Sequence, residues 1–272
     1  YTLDNYGGYD AGYINLVTYD STHEEWTVKL DAVISDAHRA TLNVSHSEDL
    51  LPQRYNNWSR TVFSNNWYYK DPEIDRASVT LYSDWSDKLS TKLKYTSYEM
   101  LEDDSSYGDD LFPEMNITIT DSVTGDRDNV FLGGDRYRGA NLINVESEFL
   151  TFKADYNNDD HVYTFGFERD DSDVVNLFIA RYNAEVRFSS FEDYKNGVWS
   201  RLRIHEPYAG HEAVGTMAAD FEVEKTSLYI QDKWFVNDDL TVMFGLRYDE
   251  VETPIAPATN VNFVKEYGFS NA

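Results

Sequence analysis

The clearest signal along the chain is a run of apolar residues spaced two apart, broken by short polar turns. From Glu25 to Val33, Trp26, Val28, Leu30 and Ala32 alternate with Thr27, Lys29 and Asp31, which predicts a strand with one apolar and one polar face. A turn at Ser35-Asp36-Ala37-His38 follows, after which Ala40, Leu42 and Val44 alternate with Thr41, Asn43 and Ser45. Two such runs joined so tightly predict an antiparallel hairpin.

The unit recurs. In Ala77 to Ser97, Val79, Leu81, Trp85, Leu89, Leu93 and Tyr95 flank Ser86-Asp87-Lys88, with Lys92 and Lys94 on the opposite face. From Phe149, Leu150, Phe152, Ala154 and Tyr156 lead to Asn157-Asn158-Asp159-Asp160, and Tyr163, Phe165 and Phe167 follow, while Thr151, Lys153 and Asp155 point the other way. In the last copy Leu228, Ile230 and Trp234 precede Val236-Asn237-Asp238-Asp239, and Leu240, Val242, Phe244, Leu246 and Tyr248 follow. Asp232 interrupts this apolar face, and Gln231, Lys233, Arg247 and Asp249 oppose it. Aligned on their turns, Trp85, Tyr156 and Trp234 fall at one height. That is the expected position of an interface girdle, because amphipathic Trp and Tyr settle at the level of lipid headgroups.

Polar stretches such as Ser47 to Asp75 and Tyr98 to Ser147 separate the hairpins, far exceeding the usual connection of about 4 to 6 residues. Short turns alternating with long loops predict an all-β fold: an antiparallel transmembrane β-barrel segment with short periplasmic turns and long extracellular loops. Eight strands are readable, and Tyr13 to Tyr19 offers a ninth. Tyr1 in place of an initiator Met, and the polar tail Gly268-Phe269-Ser270-Asn271-Ala272, lead us to expect a cut at each end.

Composition sharpens this picture. Aromatic residues make up 15% of the chain although its mean hydropathy is only −0.59, so many rings are expected to face something other than a core. No run approaches the ~18 apolar residues of a membrane helix, whereas a membrane strand needs only about 9 to 11, half of them apolar. A net charge of −26 argues against nucleic acid as a partner. The chain has no Cys, which removes disulfides, thiolate metal sites and cysteine nucleophiles.

The stretch from Ser227 to Trp234 (SLYIQDKW), the Asn237-Asp238-Asp239 turn and Leu240 to Asp249 (LTVMFGLRYD) resemble the recurring hairpin of TonB-dependent outer-membrane receptors. Ser64-Asn65-Asn66-Trp67-Tyr68, Asp173 to Phe178 (DVVNLF), Asn262-Phe263-Val264 and Tyr267 to Asn271 are similar to the Oar-like subgroup. The resemblance runs from about Trp26 to Asn271. It implies a Gram-negative outer-membrane barrel of around 22 strands, filled by a plug and energised through TonB, that takes up a solute. Residues 1–272 would then be part of one barrel domain, with the plug and remaining strands absent. Its partners would be outer-membrane lipid, the TonB complex through the missing plug, and an unidentified solute.

Lys29, Asp31, Lys92, Lys94, Lys153, Asp155, Gln231, Lys233, Arg247 and Asp249 are the candidates for the lumen face, where they would contact plug or solute or simply form solvated salt bridges. Trp58, Trp67, Tyr68, Tyr69, Trp199 and Tyr208 are candidates for a capture surface in the extracellular loops, or for anchors that pack those loops. No catalytic set is expected, nor any metal or cofactor. His205-Glu206 and His211-Glu212 lack the spacing of a helical zinc motif. Acidic runs at Glu102-Asp103-Asp104, Asp109-Asp110 and Asp170-Asp171-Ser172-Asp173 offer oxygen ligands to loop Ca²⁺, with solvated charge as the simpler reading. Rival functions are a structural or adhesive surface protein and a soluble secreted β-sandwich.

Overall fold

The computed structural model describes residues 2–14, 20–54, 59–106, 112–206, 217–254 and 259–270. In chain order its strands are β1 (Thr22–Ser35), β2 (His38–Gln53), β3 (Arg60–Val62), β4 (Tyr68–Lys70), β5 (Glu73–Asp84), β6 (Leu89–Glu102), β7 (Ser105–Ser106), β8 (Glu114–Thr120), β9 (Arg127–Leu132), β10 (Asn141–Asn158), β11 (His161–Phe178), β12 (Glu185–Phe188), β13 (Arg201–Arg203), β14 (Ala219–Asn237) and β15 (Leu240–Glu252). Three short helices are α1 (Thr2–Asn5), α2 (Phe191–Lys195) and α3 (Val261–Tyr267).

Eight long strands pair antiparallel in the order β1-β2-β5-β6-β10-β11-β14-β15 to make a wall. The four predicted hairpins are its β1–β2, β5–β6, β10–β11 and β14–β15 pairs. Their turns are closed by the residue types the sequence supplies. Ser86 Oγ accepts from the backbone N–H groups of Lys88 and Leu89, and Asn237 Oδ1 accepts from Asp239 N–H at 3.0 Å. Asp159 adopts a left-handed φ of 52°, which a short polar side chain tolerates in a two-residue turn. Among the described residues the wall is open, with β1 and β15 each paired on one side only.

The strands are longer than their alternation suggests: β10 and β11 have 18 residues each, roughly 60 Å at ~3.4 Å per residue. Much of what reads as loop is therefore ladder.

The long connections differ further from expectation. They build a second, five-stranded sheet at the end of the wall away from the tight turns, in the order β13-β12-β8-β9-β3, with β12–β8 and β3–β9 parallel. The sheet has its own core of Met115, Ile117, Leu132, Phe188 and Tyr194, closed by Tyr9 and Ala11 from the start of the chain. Val62, Trp67 and Phe131 form a smaller cluster beside it. Ser190 caps α2 by accepting from Asp193 N–H, which sets Tyr194 into the core. Just before the polar tail, α3 runs between the Asn260 side-chain cap and a left-handed Gly268. Of Tyr13 to Tyr19, offered as a ninth strand, Tyr13 and Ile14 are not in a strand and residues 15–19 lie outside the described residues.

Candidate functional site

Cross-strand pairing puts directly opposed residues on the same face of a sheet, so the register decides which side chains share a face. Val28, Val44 and Ala77 align in sequence across the first strands, then Leu81 with Leu93, Leu93 with Phe152, Phe152 with Phe167, Phe167 with Leu228 and Leu228 with Tyr248. The alternating apolar residues of the predicted hairpins thus fall on one side, while a few others, such as Phe149 and Met243, share the opposite face. They are not covered: Leu30, Leu93, Phe165, Leu228, Phe244 and Leu246 are all exposed, Leu246 by 79%. An apolar face of this extent standing open is what a surface wetted by hydrocarbon requires and a soluble protein avoids.

The other face is polar. Lys29, Asp31, Lys92, Lys94, Lys153, Asp155, Gln231, Lys233, Arg247 and Asp249 all lie on it by register. So does every other Lys or Arg of the wall strands except Arg169. Small hydroxylated residues of this face, including Ser78, Thr80, Thr96, Thr164 and Ser227, are buried beneath longer neighbours. Short-range pairs hold several of those neighbours: Lys29 to Asp31 at 3.0 Å, Lys153 to Asp155 at 2.9 Å, and Arg247 to Glu168 at 2.7 Å and to Asp249 at 3.0 Å.

The apolar band runs obliquely across the ladder. One hydrogen-bonded row reads Leu30, Leu42, Val79, Tyr95, Leu150, Arg169, Thr226, Glu250, apolar at the β1 end and polar at the β15 end. A belt that stays level with a membrane must drift along the register when strands are tilted, as they are in barrels. Trp85 sits beside Leu89, which opposes Tyr156, whereas Trp234 lies opposite His161, the partner of Asn158, and so two pairs closer to the turns. That displacement follows the same drift. Above the band this face turns acidic, with Glu48, Glu73, Asp75, Glu99, Glu146, Glu148, Asp171, Asp173, Glu222 and Glu224. Within it, donor atoms of His46, Glu73 and Asp75 lie within 4.8 Å of one another, a grouping spread over two strands that no local spacing reveals.

At the loop end, β12 and β8 bring Glu185 and Glu114 side by side in parallel register, both with buried side chains. Glu185 accepts from Arg181 Nε at 2.6 Å, Arg187 Nε at 2.6 Å and Arg136 Nη1 at 3.2 Å. Glu114 has weaker company. Its Oε2 receives Asn66 Nδ2 and the Arg136 N–H at 3.4 Å each, and Arg136 Nη1 stands 3.6 Å from Oε1. Burial pushes the Glu114 carboxyl up to about 7 against the pull of Arg136. Burial would raise Glu185 too, but hydrogen bonds from Arg181 and Arg187, with the charges of Arg187 and Arg136, outweigh it and hold that carboxyl at about 2. Gly133 shapes this corner: its φ is 90°, and a Cβ there would sit 2.0 Å from the Pro113 carbonyl oxygen.

The pair predicts a pH dependence. Unfolded, each carboxyl titrates near 4.5. Glu114 keeps its proton longer when folded, so the module loses stability as pH rises from about 4.5 to about 7. Glu185 does the reverse, its contribution disappearing as pH falls from about 4.5 towards about 2. Resistance of the loop sheet to proteolysis is expected to be greater at pH 5 than at pH 7.5, with Glu114→Gln removing most of the difference. An unchanged slope in that variant would assign the effect elsewhere.

Of the loop aromatics, Trp67 and Tyr68 are only 3% and 2% exposed, so they cannot offer a capture surface. They are packing residues, with Arg138 stacked 4.0 Å over the Tyr68 ring. Tyr69 is half-buried in β4, Trp199 is exposed, and Trp58 and Tyr208 lie outside the described residues. In the same motif Asn66 donates to the carbonyls of Gly133 and Gly134 at 3.2 Å, tying the first connection to the second.

Among the described residues the acidic runs do not gather as loop ligands. Asp170 to Asp173 lie within β11, where alternation sends Asp171 and Asp173 to one face and Asp170 to the other. Glu102 pairs with Lys70 and Asp104 with Arg138, both at 2.5 Å. His205 is described, whereas Asp109-Asp110 and His211-Glu212 are not.

A family profile described as TonB dependent receptor-like, beta-barrel, matches residues 3–271. The chain belongs to this family. As a TonB-dependent receptor barrel it is placed in the outer membrane of a Gram-negative cell. The structure of the outer membrane transporter YddB from Escherichia coli superposes with a TM-score of 0.54 at 14% identity, over 85% of this chain and 27% of that one. That likeness extends the fold assignment, and the chain spans about a quarter of the transporter's length. No curated protein matches the chain.

Proposed function

We propose that this chain is one stretch of the barrel of an energised outer-membrane receptor, whose plug and further strands belong to the same parent protein. The parent binds a solute at its loop-bearing end and admits it along the polar face when TonB pulls the plug. It performs no covalent chemistry. The Ser64 to Tyr68 segment and the stretches from Asp173 and from Asn262 support assignment to the Oar-like subgroup. The observation that carries the reading is the separation of side chains by face: exposed apolar residues on one side, and nearly every basic residue of the wall on the other.

Single-tryptophan variants of the parent protein in vesicles test it. Brominated lipid is expected to quench Trp26, Trp85 and Trp234 strongly and to leave Trp67, buried in the loop sheet, bright. Equal quenching of all four, or of none, would remove the membrane wall from the argument. A second reading, display of the loops to a partner surface without transport, is favoured by the loop sheet having its own core. Absence of solute accumulation even in cells that have TonB, with attachment to a partner surface retained, would count for display and against energised uptake.

A further inference from the structure

One ladder row on the polar face concentrates cations and rings. Arg39 pairs with Tyr82, Tyr82 with Lys92, Lys92 with Lys153, Lys153 with Gly166, Gly166 with Tyr229, and Tyr229 with Arg247. Two features are unfavourable for a wall alone. Lys92 and Lys153 stand directly opposite one another, an arrangement of like charges that destabilises a sheet. In a chain carrying 49 acidic residues, Lys92 has no carboxylate within ion-pair distance among the described residues, only the Tyr82 ring at 5.7 Å. Its neighbour Lys94, two residues along the same face, lacks one too.

The rings flanking the lysines are held flat against the wall. The Tyr229 ring covers Gly166 so closely that a Cβ there would lie 1.9 Å from it. Arg247 stands over the same ring at 5.5 Å, and Arg39 over Tyr82 at 4.3 Å. The cations are thus presented above the backbone in a line crossing seven strands.

We propose that this row is an anion-binding stripe in the lumen and that the solute carries at least two carboxylate or phosphate groups. The inference rests on the lumen reading of the polar face given above. Charge complementarity selects the occupant: Lys153 already shares the Asp155 carboxylate at 2.9 Å while Lys92 has none, so an anionic group over Lys92 and a second one reaching Lys153 balance the row, and Tyr82 and Tyr229 then border the apolar part of such a dianion. A neutral sugar or an apolar cargo would leave the repulsion standing.

Calorimetric titration of the intact, detergent-purified parent protein with citrate and with inorganic pyrophosphate, against maltose as a neutral control, decides it. At least one of the two anions is expected to bind, more weakly as salt is raised, while maltose does not. Affinity is expected to fall tenfold or more in the K92Q/K153Q double variant and to survive in K92R/K153R. Because neutralisation relieves repulsion, the glutamine pair is expected to unfold at the same temperature as wild type or higher, and K92Q alone serves if the pair fails to fold. Absence of binding by both anions, or equal affinity in wild type and the glutamine pair, overturns the proposal. A marked loss of thermal stability in the glutamine pair without loss of anion affinity would also overturn it, by making an acidic segment of the plug the occupant. Failure of the membrane-wall reading appears separately, as loss of the brominated-lipid pattern.

Discussion

Phe152→Lys is expected to destabilise the wall by about 2 to 4 kcal/mol, while Thr151→Lys, one residue away, leaves it nearly unchanged. Phe152 opposes Leu93 and Phe167 in the middle of the apolar band, where an ammonium would meet hydrocarbon. Thr151 lies on the polar face, opposite Lys94 and Glu168, where a lysine finds water and a carboxylate. Urea unfolding in lipid vesicles, followed by tryptophan emission, measures both. The contrast matters more than either value, because the two substitutions add the same side chain at almost the same height. Similar effects at the two positions would show that both faces see one medium.

Glu185→Gln has the second large expected effect, and it is local to the loop sheet. The substitution keeps the shape but leaves Arg136, Arg181 and Arg187 facing one another without their shared carboxylate. Breaking a buried pair in this way costs about 3 to 5 kcal/mol. Arg187 is about one-third exposed, so water softens part of the repulsion and the lower end of that range applies. The expected result is rapid tryptic cleavage within residues 179–206, with the resistance of the wall strands to unfolding unaltered. A variant as protease-resistant as the parent would show that the three arginines do not depend on Glu185 for their arrangement.

The wall was legible because each of its strands separates two media. Where lipid lies on one side and polar surroundings on the other, the alternation in Trp26 to Ala32 or Leu150 to Tyr156 is enforced at every step, and turn residues such as Asn237 and Asp239 mark the reversals. Slips in the pattern were informative too. Asp232 interrupts the apolar face because it pairs with His161 at 2.9 Å, at the level where Trp234 and Tyr163 stack on that ring.

The loop sheet was not legible, for an opposite reason. Its strands are three to seven residues long, too short for a period to show, and its core draws single residues from segments more than a hundred positions apart. Met115 or Phe188 is unremarkable in its own surroundings. Burial of Trp67 and Tyr68 follows from that assembly, and so does the pairing of Glu114 with Glu185, which parallel register creates from two distant acids. The same blindness covers the row from Arg39 to Arg247: alternation shows that each residue faces the polar side, but only register shows that they stand in line.

The height of the wall has a consequence for access. On β10 the greasy stretch ends at Leu150, and residues 141–149 continue the strand beyond it, roughly 30 Å of ladder at ~3.4 Å per residue. The ladder thus continues well past the apolar band, and the folded connections lie at that end. Contacts made at the loop-bearing end are therefore separated from the level of the apolar band by about that length of strand.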